Sequence, residues 1–183
     1  MKKKIFLGIG AVVLIFVAYS TYQFFFGTPK SPPTTTTHNA QGLDISVAYS
    51  QPSKKGRVIF GEEAAGALQP YGKYWRLGAN QPTEITFSKD VSFAGQPVSA
   101  GTYRMYTVPG PSTFKVFLNT EIGNFFGFSE PDHELDILSV EVPVQSAQTE
   151  TEMFVIKFSN DSTVINMDFV WDNIIVRTPI TVQ

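Results

Sequence analysis

The 183-residue chain has no cysteine. Disulfides, thiol nucleophiles, iron–sulfur clusters, cysteine-bound zinc and a lipid on an N-terminal cysteine are all excluded, so any folded part must rest on its own core. Histidine is scarce, with only His38 and His133. That pair is too few for a histidine-built zinc centre, and a serine triad would depend on His133 alone, with no Gly-x-Ser-x-Gly elbow in the chain. Glycine-rich phosphate and dinucleotide motifs are missing too. A basic block is also lacking: ten basic and sixteen acidic residues, net −6, follow Lys30. Nucleic-acid binding needs clustered Lys and Arg to release counterions, so that class of partner is set aside.

What is present begins with an apolar run. Residues 1–4 form a cationic head, and Ile5 to Phe26 carry no charge, a run that as a helix spans about 33 Å. Two interpretations compete: an uncleaved transmembrane anchor, or a signal peptide with Ala18-Tyr19-Ser20 as a small-x-small cleavage site. The full length of the run favours the anchor, with Tyr19, Tyr22 and the Phe24–Phe26 run as interfacial aromatics and the lysines on the cytoplasmic side. The expectation is an inner-membrane protein with its domain in the periplasm, or a periplasmic protein if the segment is cleaved. Residues 27–40, GTPKSPPTTTTHNA, read as a semi-extended spacer holding a solvated His38.

Residues 41–183 then read as one domain of about 140 residues, a size at which a single core needs no staples. Leu43, Ile45, Val47 and Tyr49 alternate with small or polar residues, and the same period of two recurs in 83–87, 102–108, 113–119, 135–144, 151–158, 164–171 and 174–182. Glu62–Leu68, EEAAGAL, is the one short helical stretch. About nine or ten short strands separated by Gly and Pro turns predict an all-β, antiparallel sandwich or jelly-roll-like domain.

The densest chemistry lies in Pro70–Phe87, PYGKYWRLGANQPTEITF. One interpretation has Arg57, Lys73 and Arg76 converging near Asn80, with Trp75 as a stacking face, to hold an anionic or hydroxyl-rich ligand. The other makes Trp75 a core anchor, Gly78-Ala79-Asn80 a turn with Asn80 left-handed, and the arginines caps on carbonyls at strand ends. Asp132, Glu134 and Asp136, with His133 between them, would share one face of an extended segment, a weak candidate for calcium that lacks the regular calcium-loop pattern. Phe125, Phe126 and Phe128 suit either a partner-binding tip or a loop folded over the end of the sandwich. Glu84, Glu141 and Asp168 are the carboxylates from which a glycan hydrolase would draw a facing pair.

Three runs carry a resemblance: SQPSKKGRVIFG (Ser50–Gly61), LQPYGKYWRLGANQPTEITF (Leu68–Phe87) and AGTYRMYTVPG (Ala100–Gly110). Together they resemble the bacterial family called domain of unknown function 2911, over roughly Leu43 to Ile180. The resemblance implies an exported β-rich domain of Bacteroidetes-type bacteria and supplies no catalytic or binding residues. The expected function is therefore a membrane-tethered extracytoplasmic module binding a small anionic or carbohydrate ligand or an envelope protein, without a cofactor. A glycan hydrolase and a purely structural envelope domain are the alternatives.

Overall fold

Period-two alternation fixes which face of each strand is buried, and the computed structural model, which describes residues 2–27, 30–123 and 129–183, stacks those faces into two layers. The strands are β1 (Pro33–Ala40), β2 (Leu43–Ser50), β3 (Phe60–Gly61), β4 (Gln69–Pro70), β5 (Thr83–Phe87), β6 (Val91–Phe93), β7 (Gln96–Val98), β8 (Gly101–Val108), β9 (Thr113–Asn119), β10 (Asp136–Asp161) and β11 (Val164–Val182). Nine of them form a continuous antiparallel ribbon ordered β1-β2-β5-β8-β9-β10-β11-β6-β7, and β3 and β4 make a separate short parallel pair. The ribbon folds at β10, which pairs with β9 over Asp136–Pro143 and with β11 over Val144–Asp161. The protein is thus an antiparallel β-sandwich, its first sheet running from β1 to the start of β10 and its second from the end of β10 to β7. A 3-10 turn, Glu63–Ala65, sits where the short helical stretch is expected.

The core is aromatic at its centre. Trp75 stacks on Trp171 at 5.7 Å and meets Phe60 and Phe154 edge-on at 5.4 and 5.1 Å. The Tyr49 ring reaches from the first sheet to Phe154 at 5.6 Å, and its hydroxyl accepts the Ile156 N–H of the second at 3.0 Å.

Two expectations need correction. The spacer ends earlier than residue 40, because Pro33–Ala40 is the edge strand β1, in register with β2 from Pro33 against Ser50 to Ala40 against Leu43. Gln41 and Gly42, at φ 54° and 70°, make the two-residue turn that matches the strands' twist. His38 is accordingly half-buried, stacked on Phe158 at 5.2 Å with Nε2 2.9 Å from Asn160 Oδ1. Second, the four late strands are two long ones. Residues 145–152, QSAQTETE, contain no Gly, Pro or Asn to make a turn, so the chain absorbs the sheet-to-sheet bend as register shifts between Ser146 and Val155. Asp172 at φ 55° lies opposite, in β11.

The N-terminal unit is a single helix, α1 (Lys2–Phe26). Val12–Val17 are six consecutive exposed apolar residues, which at 100° per residue pass more than once around the helix. Among the described residues, no helix is long and apolar enough to cross a membrane. Within the uncharged run of the sequence, Ile5–Phe26, the described side chains are those of residues 8–22 and 26.

Candidate functional site

The expected cation–aromatic cluster is built into the scaffold instead. Trp75 pairs with Thr107 of β8 through two main-chain hydrogen bonds of 2.8 and 2.9 Å, so its ring faces the core and is 3% exposed. It cannot serve as a stacking face for a ligand. Its Nε1 donates to the Gly78 carbonyl at 3.2 Å, Thr83 Oγ1 donates to the Leu77 carbonyl at 2.7 Å, and Arg76 Nη1 donates to the Asn80 carbonyl at 2.9 Å. These contacts hold a strained turn in which buried Leu77 and Asn80 both have positive φ, 55° and 60°. Asn80 Nδ2 donates to the Ser31 carbonyl at 3.1 Å. Arg57 caps a different loop, its Nε and Nη2 donating to the Lys54 and Ser53 carbonyls at 2.9 and 2.5 Å. Lys73 is exposed, with Nζ 3.6 Å from Glu63. Arg76 and Asn80 meet through a main-chain carbonyl.

The acidic trio does not share a face either. His133–Leu135 is a 3-10 turn, not an extended segment, and Asp132 caps it by accepting the Glu134 N–H at 3.0 Å. Asp136 instead accepts from Tyr106 Oη at 2.6 Å and from Asn119 Nδ2 at 2.7 Å. Among the described residues no group of three metal-ligating side chains comes together. Phe125, Phe126 and Phe128 lie outside the described residues. Of the carboxylates considered for glycan cleavage, Asp168 receives both Nε and Nη2 of Arg177 at 2.7 Å, Glu141 pairs with Lys115 at 3.8 Å, and Glu84 accepts the Gly123 N–H at 2.8 Å. Glu84 and Glu141 stand three strands apart, about 14 Å in the pairing direction, and Asp168 belongs to the other sheet.

A different arrangement emerges on the outer face of the first sheet. Strand register aligns Thr35, Ala48, Glu84, Arg104, Asn119 and Asp136 in one row across six strands. Side chains in register on one face lie about 5 Å apart, so the row is a chain of direct neighbours with opposite charges adjacent at Glu84 and Arg104. Its two halves differ.

Toward β10 the row is buried. Arg104 is 1% exposed and Asn119 0%. Arg104 Nη2 donates to Tyr74 Oη and to the Ser129 carbonyl, each at 2.8 Å, and Nη1 stands 3.8 Å from Glu121 Oε2, while among the described residues Nε and Nη1 complete no hydrogen bond. A buried guanidinium left partly unpaired is costly. Tyr106, two residues on, stacks flat on Phe117 at 4.6 Å. Burial, followed by its hydrogen bond to Asp136, raises its phenol pKa far above the ordinary value, so Tyr106 is a hydrogen-bond donor and not a base or nucleophile at neutral pH. Since its one proton goes to Asp136, the contact from His133 Nδ1 at 2.8 Å must be donated by the imidazole. Nε2 lies 3.2 Å from Glu130 Oε2, which also calls for a proton. Both ring nitrogens are then placed to donate, an arrangement that favours the imidazolium and accords with the pKa raised chiefly by the Glu130 carboxylate and secondarily by Asp136.

A pH dependence follows. The folded-state pKa of His133 lies above the unfolded 6.5, so its stabilisation is complete below about pH 6.5 and is lost as pH rises through the folded value. Urea midpoints between pH 6 and 8.5 are expected to fall for the native chain and to vary less for His133→Gln. Identical slopes for the two would contradict the assignment.

Toward β1 the row opens. Small Ala48 stands between Thr35 and Glu84, and above it lies a depression of about 630 Å³. Thr34, Thr35, Ser50, Gln81 and Glu84 supply its polar lining, with exposed Pro33 and buried Pro82 also bordering it. Tyr49 borders it, but its ring turns into the core.

The profile of the family described as protein of unknown function DUF2911 matches residues 31–180, which takes in both sheets from β1 to all but the last two residues of β11. The chain belongs to the DUF2911 family. Neither a curated protein nor a solved structure matches it. The family boundary at residue 31 agrees with the structural one, where the DUF2911 domain begins at Ser31 and not at residue 41. What the sequence concealed in this domain is the row itself. Arg104, Tyr106 and Asn119 sit in strands whose alternation is plain, and an arginine between Tyr103 and Met105 is the one local signal that the outer face is covered.

Proposed function

We propose that this DUF2911 protein is an extracytoplasmic binding module, tethered to a membrane by its N-terminal segment, with its ligand site in the depression over Ala48. The observation that supports the site is the depression, whose volume of about 630 Å³ falls within the range of roughly 300–1,000 Å³ of small-ligand sites. Its floor is rigid sheet and its rim is the β1–β2 hairpin and the turn at Gln81-Pro82, so the polar groups are held in place before a ligand arrives. The uncharged run from Ile5 to Phe26 after three lysines supports the tether and its direction. Retention of the full chain in membranes after alkaline extraction is expected, and its release would contradict the tether.

Ala48 points outward and is exposed, so a larger side chain there fills the depression without entering the core. In a fragment-library titration of the ¹⁵N-labelled full chain in detergent, shifts are expected at Thr35, Ala48, Gln81 and Glu84 in the native chain and to be lost in Ala48→Trp. Fragments that bind elsewhere, or equally well to Ala48→Trp, would overturn the site.

A further inference from the structure

The lining of the depression also selects among ligand classes, and we infer that its ligand is a neutral polyhydroxylated molecule, a carbohydrate. The inference rests on the site proposed above. Each competing class lacks a complement. Small-molecule sites of this size are ordinarily lined by large apolar side chains, yet among the described residues no Leu, Ile, Val, Met or Phe borders this one. An apolar ligand would gain little there. An anion has no partner among the described residues, since none of the Lys, Arg or His among them lines the depression. This narrows the anionic-or-hydroxyl expectation to its second member. A cation would face Glu84 alone, and Arg104, its direct neighbour in the row, offsets that charge.

A polyol satisfies the groups that remain. The hydroxyls of Thr35 and Ser50 and the amide of Gln81 each donate and accept, as sugar hydroxyls do. Glu84 is held by the Gly123 N–H at Oε1, and among the described residues Oε2 takes no hydrogen bond, which leaves an oriented acceptor for vicinal hydroxyls. Such charge-assisted hydrogen bonds are the stronger kind. The exposed ring of Pro33 presents C–H surface to the apolar face of a pyranose.

The test titrates the full chain in detergent calorimetrically with neutral oligosaccharides (cellotetraose, maltotetraose and N-acetylchitotetraose), with inorganic phosphate and spermidine as the anionic and cationic probes. At least one oligosaccharide is expected to bind, Ala48→Trp to abolish binding, Glu84→Ala to weaken it about tenfold or more, and Glu84→Gln, which keeps a hydrogen-bonding group, to weaken it less. Spermidine binding lost equally in Glu84→Ala and Glu84→Gln would show a cation site and overturn the inference. Phosphate binding sensitive to Ala48→Trp would overturn it in favour of an anion. If fragments occupy the depression while none of the three oligosaccharides binds, the ligand class is wrong and the site stands. If nothing tested, fragment or sugar, responds to Ala48→Trp, the site itself is wrong.

Discussion

Trp75→Ala is expected to lower the unfolding free energy by about 3–5 kcal/mol, the usual cost of deleting a fully buried tryptophan. The indole touches Phe60, Phe154 and Trp171 at once, and its Nε1 anchors the Gly78 carbonyl. The substitution therefore opens a cavity between the two sheets and releases the turn that carries Leu77 and Asn80 at positive φ. Trp75→Phe retains most of the packing and loses the hydrogen bond, so it should cost less and remain folded enough to measure if the alanine variant does not. Urea unfolding with an unchanged slope checks both. A cost under 1 kcal/mol for Trp75→Ala would mean that the ring is not the core anchor described here, and would reopen its role as a ligand platform.

The second large effect is at Asp136. Tyr106 Oη and Asn119 Nδ2, both in buried residues, donate to this one carboxylate, and His133 Nδ1 stands 3.4 Å from it. Asp136→Ala strands those donors without solvent, for an expected loss of about 3 kcal/mol. Asp136→Asn keeps one acceptor oxygen and should fall between the two. The variants carry a separate signature, because removing the carboxylate also removes one of the groups that raise the His133 pKa. An NMR titration of the His133 ring should show that pKa falling in Asp136→Ala. If stability drops while the His133 titration stays where it was, the hydrogen-bond assignment among Tyr106, Asp136 and His133 is incorrect.

Much of the fold is legible in the residues. Phe114, Val116 and Leu118 alternate on one strand, Ile165, Met167 and Phe169 on another, and each set points inward as its period requires. Pro33–Ala40 is harder to read because an edge strand has little to bury: Thr34, Thr36 and His38 are only half-buried, so the segment carries no apolar signature and its composition imitates a spacer. Its β-branched threonines were the available clue. Residues 145–152 look like a loop because they are polar, yet the absence of any turn-forming residue keeps them extended through the bend.

The candidate site is less legible, for a geometric reason. Charge and aromatic density point to Trp75 and Arg76, but local density does not distinguish a ligand site from the fastening of a strained turn. The row from Thr35 to Asp136 draws one residue from each of six strands, and only their register makes them neighbours. Asp136 is visible as an acid and only as a weak candidate for calcium, since its partners Tyr106 and Asn119 lie 30 and 17 residues away in sequence. Ala48, which makes the depression, signals nothing on its own.

The most direct test of this account is a comparison of two variants of the full chain, Ala48→Trp and the double variant Arg57→Ala, Arg76→Ala, titrated with the same neutral oligosaccharides. The account predicts that the double variant binds as the native chain does and that Ala48→Trp does not bind. Loss of binding in the double variant with normal binding in Ala48→Trp would contradict it and return the site to the loop around Trp75.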